Sequence, residues 1–228
     1  MKRLLSILLV ALTSLVVFAQ KDVTKFLGIP VDGTKEAMKQ KLISKGYKYN
    51  KLHDRLEGEF NGSKVYIGIV TYNNKVWRIA VQDAIESSET DIKIRFNRLC
   101  RQFAKNDKYM PLSLDDNPYE ISEGEDISYE MLVNNKRYEA VYLQKGESID
   151  STYFSSLMKE AISKKFTKQQ IDNPTDYDKE AMIKEMVNVT LEYYMKKTVW
   201  FLIDSSYGDY KIVLYYDNEY NHSDGEDL

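Results

Sequence analysis

The sequence predicts an α+β protein: tandem α-β-β-β-β repeats that form an antiparallel sheet with helices packed on one face, then a helix-rich third unit ending in a hairpin. Three observations predict it. Runs rich in valine, isoleucine and tyrosine flank asparagine or glycine turns, the pattern of hairpins. Each hairpin pattern follows a stretch with helical periodicity. The turn Asn73-Asn74-Lys75 also recurs 61 residues later as Asn134-Asn135-Lys136, with strand-like residues on both sides. These signals divide the chain into residues 1–19, 20–86, 87–146 and 147–228.

Residues 1–19 read as a signal peptide. Lys2 and Arg3 precede the apolar run Leu4 to Phe18, and Val17-Phe18-Ala19 places small residues before a cleavage site. The mature chain is then expected to begin at Gln20 or Lys21. Past residue 20 no apolar stretch approaches about 18 residues, so no membrane insertion is expected.

In the first unit, Asp32 or Thr34 caps a helix that Gly46 ends, with Met38 and Leu42 one turn apart. Strands follow near Tyr47–Leu52 and Arg55–Phe60, then the hairpin Val65–Tyr72 and Val76–Val81. In the second unit, Ile92, Phe96, Leu99 and Phe103 form one helical stripe within Glu89 to Asn106. A strand is expected at Lys108–Leu114, then a hairpin from Ile127–Val133 to Arg137–Leu143. The third unit offers a helix from Ser151 to Lys164, a loop punctuated by Asn173-Pro174, and a long helix from Asp176 to Lys197. Its closing hairpin joins Val199–Ile203 to Tyr210–Tyr216.

Removing Lys2 and Arg3 takes the basic count from 32 to 30 against 35 acids, and so the net charge from −3 to −5. That balance gives no reason to expect nucleic acid or an anionic membrane as partner. A single cysteine, Cys100, precludes an internal disulfide, and about 209 residues suffice for a core without one. Together with the leader these features predict a periplasmic or secreted protein.

The segment Phe26-Leu27-Gly28-Ile29-Pro30-Val31-Asp32-Gly33-Thr34-Lys35, then Met38, Lys41-Leu42 and Lys45-Gly46-Tyr47, resembles the start of uncharacterised exported proteins of Gram-negative gut anaerobes. Tyr215-Tyr216-Asp217-Asn218 through Gly225-Glu226-Asp227-Leu228 is similar to their C-terminal ends. The helix-then-strands repeat also resembles beta-lactamase-inhibitor-like proteins and the small outer-membrane assembly lipoproteins. That second resemblance implies a sheet face or a helix–sheet edge that binds other proteins. The chain departs from the lipoprotein pattern in lacking a cysteine after its apolar leader.

The catalytic chemistries that leave motifs are not apparent. No G-x-S-x-G, G-x-G-x-x-G, P-loop, H-E-x-x-H or paired C-x-x-C occurs, so no cofactor is expected. Two histidines, His53 and His222, and Cys100 are too scattered for an ordinary zinc site. The oxygen-rich stretches from Asp115 and from Asp217 lack the glycine and glutamate that an EF-hand loop requires. Cys100, beside the apolar stripe of its helix, reads as a small buried hydrophobe.

Eighteen tyrosines against eight phenylalanines suggest half-wet sheet faces, and as a set they suit recognition of a partner. A three-residue turn at Asn73-Asn74-Lys75 gathers Val65, Ile67, Ile69, Trp77, Ile79 and Val81 on one face. Tyr66, Tyr72 and Arg78 then share the other with Gly68 and Ala80, and are the candidate partner-binding residues. A two-residue turn would mix the two sets. The second hairpin sorts better with a two-residue turn, which unites Ile127, Tyr129, Met131, Tyr138, Ala140 and Tyr142. The expected function is a non-catalytic binding module for an envelope or extracellular protein, or for a glycan. The alternative is an extracytoplasmic hydrolase whose carboxylate pair leaves no sequence signature.

Overall fold

Thr34 opens the first helix, α1 (Lys35–Ser44), its hydroxyl accepting from the Ala37 amide at 3.3 Å. This N-cap bond satisfies a donor that the helix itself leaves free. Gly46 follows the helix with φ +99°, a left-handed conformation that glycine adopts without a Cβ penalty. In the same way Ser88 caps α2 (Glu89–Ala104), whose stripe Ile92, Phe96, Leu99 and Phe103 is buried. The computed structural model describes residues 22–113, 118–146, 151–206 and 208–222. The expected signal peptide, the acidic Asp115-Asp116-Asn117 and the end of the C-terminal acidic stretch lie outside these residues.

Two short strands, β1 (Lys25–Phe26) and β2 (Ile29–Pro30), pair on their own ahead of α1. After α1 come β3 (Lys48–Asn50), β4 (Arg55–Phe60), β5 (Ser63–Tyr72) and β6 (Lys75–Asp83). The remaining strands are β7 (Tyr109–Pro111), β8 (Glu139–Gln144), β9 (Thr198–Ser206) and β10 (Asp209–Asp217). β3 to β10 form one eight-stranded antiparallel sheet, ordered β3-β4-β5-β6-β10-β9-β8-β7. The C-terminal hairpin therefore sits at the centre, with β10 on β6 and β9 on β8. The first, second and third segments of the chain share one hydrophobic core.

That core lies on one face of the sheet. Ile67, Ile79, Phe201 and Leu214 from four strands meet Met38 and Leu42 of α1 and Phe96 of α2, all buried. The Phe96 and Phe201 rings meet nearly edge-on at 5.1 Å, a favourable aromatic geometry. Both edge strands are three residues long, and β7 ends in Pro111. Such edges resist pairing with another chain.

The first hairpin corrects the expected register. Tyr72 pairs with Lys75, so the turn has two residues, Asn73 and Asn74, both at positive φ. This is the turn whose twist matches a hairpin. Register is restored by a bulge: Val70 pairs with Arg78 and Thr71 with Val76, and the ladder skips Trp77. Val76 is consequently buried in place of Trp77, while Val65, Ile67, Ile69, Ile79 and Val81 face the core as expected.

The expected second hairpin does not form. Residues Ile127–Val133 are a helix, α3, and only β8 follows as a strand. The second segment thus runs helix–strand–helix–strand rather than repeating the first. Asp126 caps α3 by accepting from the Tyr129 amide at 2.8 Å. Glu89, at the start of α2, accepts from the Ile127 amide and the Ser128 hydroxyl, which fixes the helix N-terminus against α2. Asn135 takes φ +52° beyond the helix end, so the asparagine pair serves as a helix stop instead of a strand turn.

The third segment contains α4 (Ser151–Lys165), a short α5 (Lys168–Asp172) and α6 (Asp176–Met195). α5 occupies part of the expected loop, and Thr167 with Gln170 builds its capping box. α4 and α6 pack on each other antiparallel: Phe154 meets Tyr193 at 5.5 Å, and Lys165 pairs with Glu185. No helix among the described residues is long and apolar enough to cross a membrane.

Candidate functional site

Side chains alternate along each strand, so the residues between the core positions form a second face of the sheet. The ladder aligns Gly68, Ala80, Tyr215, Trp200 and Val141 in one row across β5, β6, β10, β9 and β8. Each member of this row is partly exposed. A neighbouring row carries Val70, Arg78 and Asp217, and the row on the other side carries Tyr66, Gln82, Val213 and Leu202. The outcome is a broad, mostly apolar surface with a floor of small residues next to aromatic rings.

Arg78 is the electrostatic centre of this face. It donates to Asp217 through Nε at 2.6 Å and Nη2 at 2.7 Å. The Trp200 indole donates to the same carboxylate at 2.8 Å, and Asp217 is 2 % exposed. The guanidinium also lies 4.2 Å from the Trp77 ring, 4.6 Å from Tyr215 and 5.4 Å from Trp200. Bidentate pairing and stacking are what an arginine supplies and a lysine does not.

The bulge in β6 turns Trp77 towards this face, and the segment after β10 holds it there. The Asn218 amide donates to the Trp77 carbonyl at 2.7 Å, and Asn221 Nδ2 to the Val76 carbonyl at 2.8 Å. The His222 ring rests on Trp77 at 4.5 Å. Burial, and then the Asp217 carboxylate nearby, push the Glu219 carboxyl above its usual range.

Tyr66, Tyr72 and Arg78, the candidates from sequence, are all partly exposed, and Tyr66 and Arg78 lie on this second face. They do not converge. Tyr66 and Tyr72 are six residues apart on β5, about 20 Å along an extended strand. Tyr66 is covered by the Arg55 guanidinium at 3.4 Å from its ring, and Tyr72 sits at the hairpin tip. Arg78 instead joins Asp217, Trp200, Tyr215 and Trp77, which sequence reasoning did not place in the site. The alternation of Trp200 and Leu202 on β9 with Val213 and Tyr215 on β10 was the available signal. Nothing local shows that β10 lies beside β6.

Other chemistry is sparse among the described residues. No group of three metal-ligating side chains occurs there. Cys100 is 4 % exposed, and burial pushes its thiol up to about 12. The native protein should therefore leave Cys100 unmodified by a disulfide reagent at neutral pH, with labelling appearing only on denaturation. Rapid stoichiometric labelling of folded protein would overturn this.

No protein-family model matches the chain, and no curated protein and no solved structure is significantly similar to it.

Proposed function

We propose that the protein is an exported, non-catalytic binding module that takes up another protein on the second face of its sheet, in the periplasm or outside the cell. The row of Gly68, Ala80, Tyr215, Trp200 and Val141 beside a rigidly tied arginine carries this reading. Aromatic anchors in an apolar patch with a polar surround are characteristic of protein interfaces. A sugar platform needs ring faces free for stacking. Here Trp77, Trp200, Tyr215 and Tyr66 each already hold a ring or a guanidinium against them, which favours a protein over a glycan. The short edge strands favour binding on the face over strand addition.

The hydrolase alternative requires free carboxylates in a pocket. The three fully buried ones among the described residues are each engaged, and the half-buried Glu219 lies 3.5 Å from His222. Asp83 holds Arg95 and the Ile212 amide, Asp178 holds Thr175 and Gln170, and Asp217 holds Arg78 and Trp200.

Immobilised protein should capture its partner from envelope or culture extract, and Val70→Glu with Leu202→Glu should reduce capture at least tenfold (about 1.4 kcal/mol). Both positions lie on the proposed surface. Val70 is the cross-strand neighbour of Arg78 but bonds to neither Arg78 nor Asp217, and a glutamate there faces a cation, so the melting temperature should shift by only a few degrees. Undiminished capture by a folded variant would reject this surface. Retention on immobilised polysaccharide, lost in the same variant, would replace a protein partner with a glycan.

A further inference from the structure

The ladder between β5 and β6 skips Trp77, so the aim of this side chain is set by the bulge and not by alternation. The residues after β10 fix that aim from outside the hairpin. Asn218, itself buried, donates its backbone amide to the Trp77 carbonyl and its side-chain amide to the Val31 carbonyl, both at 2.7 Å. Asn221 Nδ2 bridges the Val76 carbonyl and the Asp32 carboxylate, each at 2.8 Å. The Trp77 ring has the Arg78 guanidinium 4.2 Å away and the His222 ring at 4.5 Å. These bonds and contacts immobilise one partly exposed tryptophan.

Its polar edge is unengaged. Trp200 gives its indole N–H to Asp217, whereas Trp77 Nε1 has no acceptor among the described residues. Arg78 commits Nε and Nη2 to Asp217, and its Nη1 likewise has no acceptor among them. The buried side-chain polar atom that lacks a partner among these residues is Arg95 Nη1, so Trp77 Nε1 and Arg78 Nη1 both reach the surface. The fixed charges nearby balance: Arg78 and Lys196 face Asp217 and Glu219, and nothing there calls for an ionised acceptor.

We propose that Trp77 is the anchor residue of the interface, its ring packing on the partner protein while Trp77 Nε1–H and Arg78 Nη1–H donate to a neutral oxygen of that partner, a main-chain carbonyl. This assignment rests on the second face of the sheet being the binding surface. Tryptophan joins a large ring to a donor and is, with tyrosine and arginine, the residue type that dominates interface energetics. Held in place beforehand, it forfeits little rotamer freedom on binding. Two surface donors without an internal acceptor exchange only water for the partner's oxygen.

The probe is a set of peptides selected from a phage-displayed random library on the immobilised protein, after depletion on the Val70→Glu, Leu202→Glu variant. Depletion confines the selection to the second face. The affinity of the synthetic peptides should fall at least tenfold for Trp77→Ala. It should fall about threefold to tenfold for Trp77→Phe, which keeps a ring against Arg78 and drops the N–H. Cooperative urea unfolding shows that each variant is folded, and if Trp77→Ala is not, Trp77→Phe decides alone. Peptides that survive depletion yet bind the folded variants as tightly as the parent, within about twofold, would overturn Trp77 as the anchor and leave the face standing. A loss on Trp77→Phe that vanishes in about 0.5 M sodium chloride would overturn the neutral acceptor in favour of a carboxylate. Recovery of no peptide after depletion would overturn the face as a protein-binding surface, and the anchor with it.

Discussion

Arg78→Ala should destabilise the protein by about 3–5 kcal/mol, although the residue lies on a partly open face. The reason is Asp217. Its side chain is 3 % exposed and depends on Arg78 for two of the three hydrogen bonds described above, the third coming from Trp200. Removing the arginine leaves a carboxylate in a dry site with one indole donor, and an uncompensated buried charge is what makes such a deletion expensive. Replacing both partners by apolar residues, Arg78→Met with Asp217→Leu, should recover most of the loss, because neither charge then has to be desolvated. Urea unfolding measures both, followed by the fluorescence of Trp77 and Trp200, whose rings lie against the guanidinium. A loss below about 1 kcal/mol for Arg78→Ala would mean that water or another donor replaces the arginine. Arg78 is therefore a poor probe of partner binding, since its removal disturbs the face it sits on. Val70 and Leu202 are better ones.

Asp22→Ala should destabilise the protein by about 3 kcal/mol, through Lys197. The Lys197 side chain is 2 % exposed, and its ammonium pairs with Asp22 while lying 5.4 and 5.8 Å from the Tyr193 and Tyr194 rings. Without the carboxylate, the aromatic rings alone face a desolvated cation. Gly146 leaves room for the pair: a Cβ there would collide with the Asp22 carboxylate and sit 3.3 Å from Lys197 Nζ. Adding Lys197→Met to Asp22→Ala should restore stability to within about 1 kcal/mol of the parent. Calorimetric melting of the two variants tests this, and equal destabilisation of the single and the double variant would show that the ion pair is not the cause. Asp22 lies three residues beyond the expected cleavage point at Ala19. The pair ties the segment ahead of β1 to the turn between α6 and β9.

The sequence by itself determined what nearest neighbours decide. Thr34 and Gly46 bound α1 because a hydroxyl and a left-handed glycine act within one turn of the helix. Alternation in β5 sets Val65, Ile67 and Ile69 on the core side and Tyr66 and Gly68 opposite, whatever the sheet order. Ile92, Phe96, Leu99 and Phe103 mark the buried face of α2 by spacing alone.

Tertiary structure decided the rest where local signals are balanced. Ile127 to Val133 suits either a strand or a helix, and Glu89, 38 residues away, tips it by accepting the first amide of α3. Asn134-Asn135 tolerates positive φ in a hairpin turn and at a helix end alike, so it follows that choice. With the two-residue turn at Asn73-Asn74, unbroken alternation would have rotated Ile79 and Val81 out of the core. The bulge at Trp77 prevents this, and its carbonyl is held by Asn218, which no window around the hairpin contains. For the candidate site the division is the same. Placing Tyr66 and Arg78 opposite the core needs only alternation. Closing Asp217, Trp200 and Tyr215 around Arg78 needs β10 beside β6, a contact spanning 139 residues that buries charge only because the sheet brings its counter-charge to it.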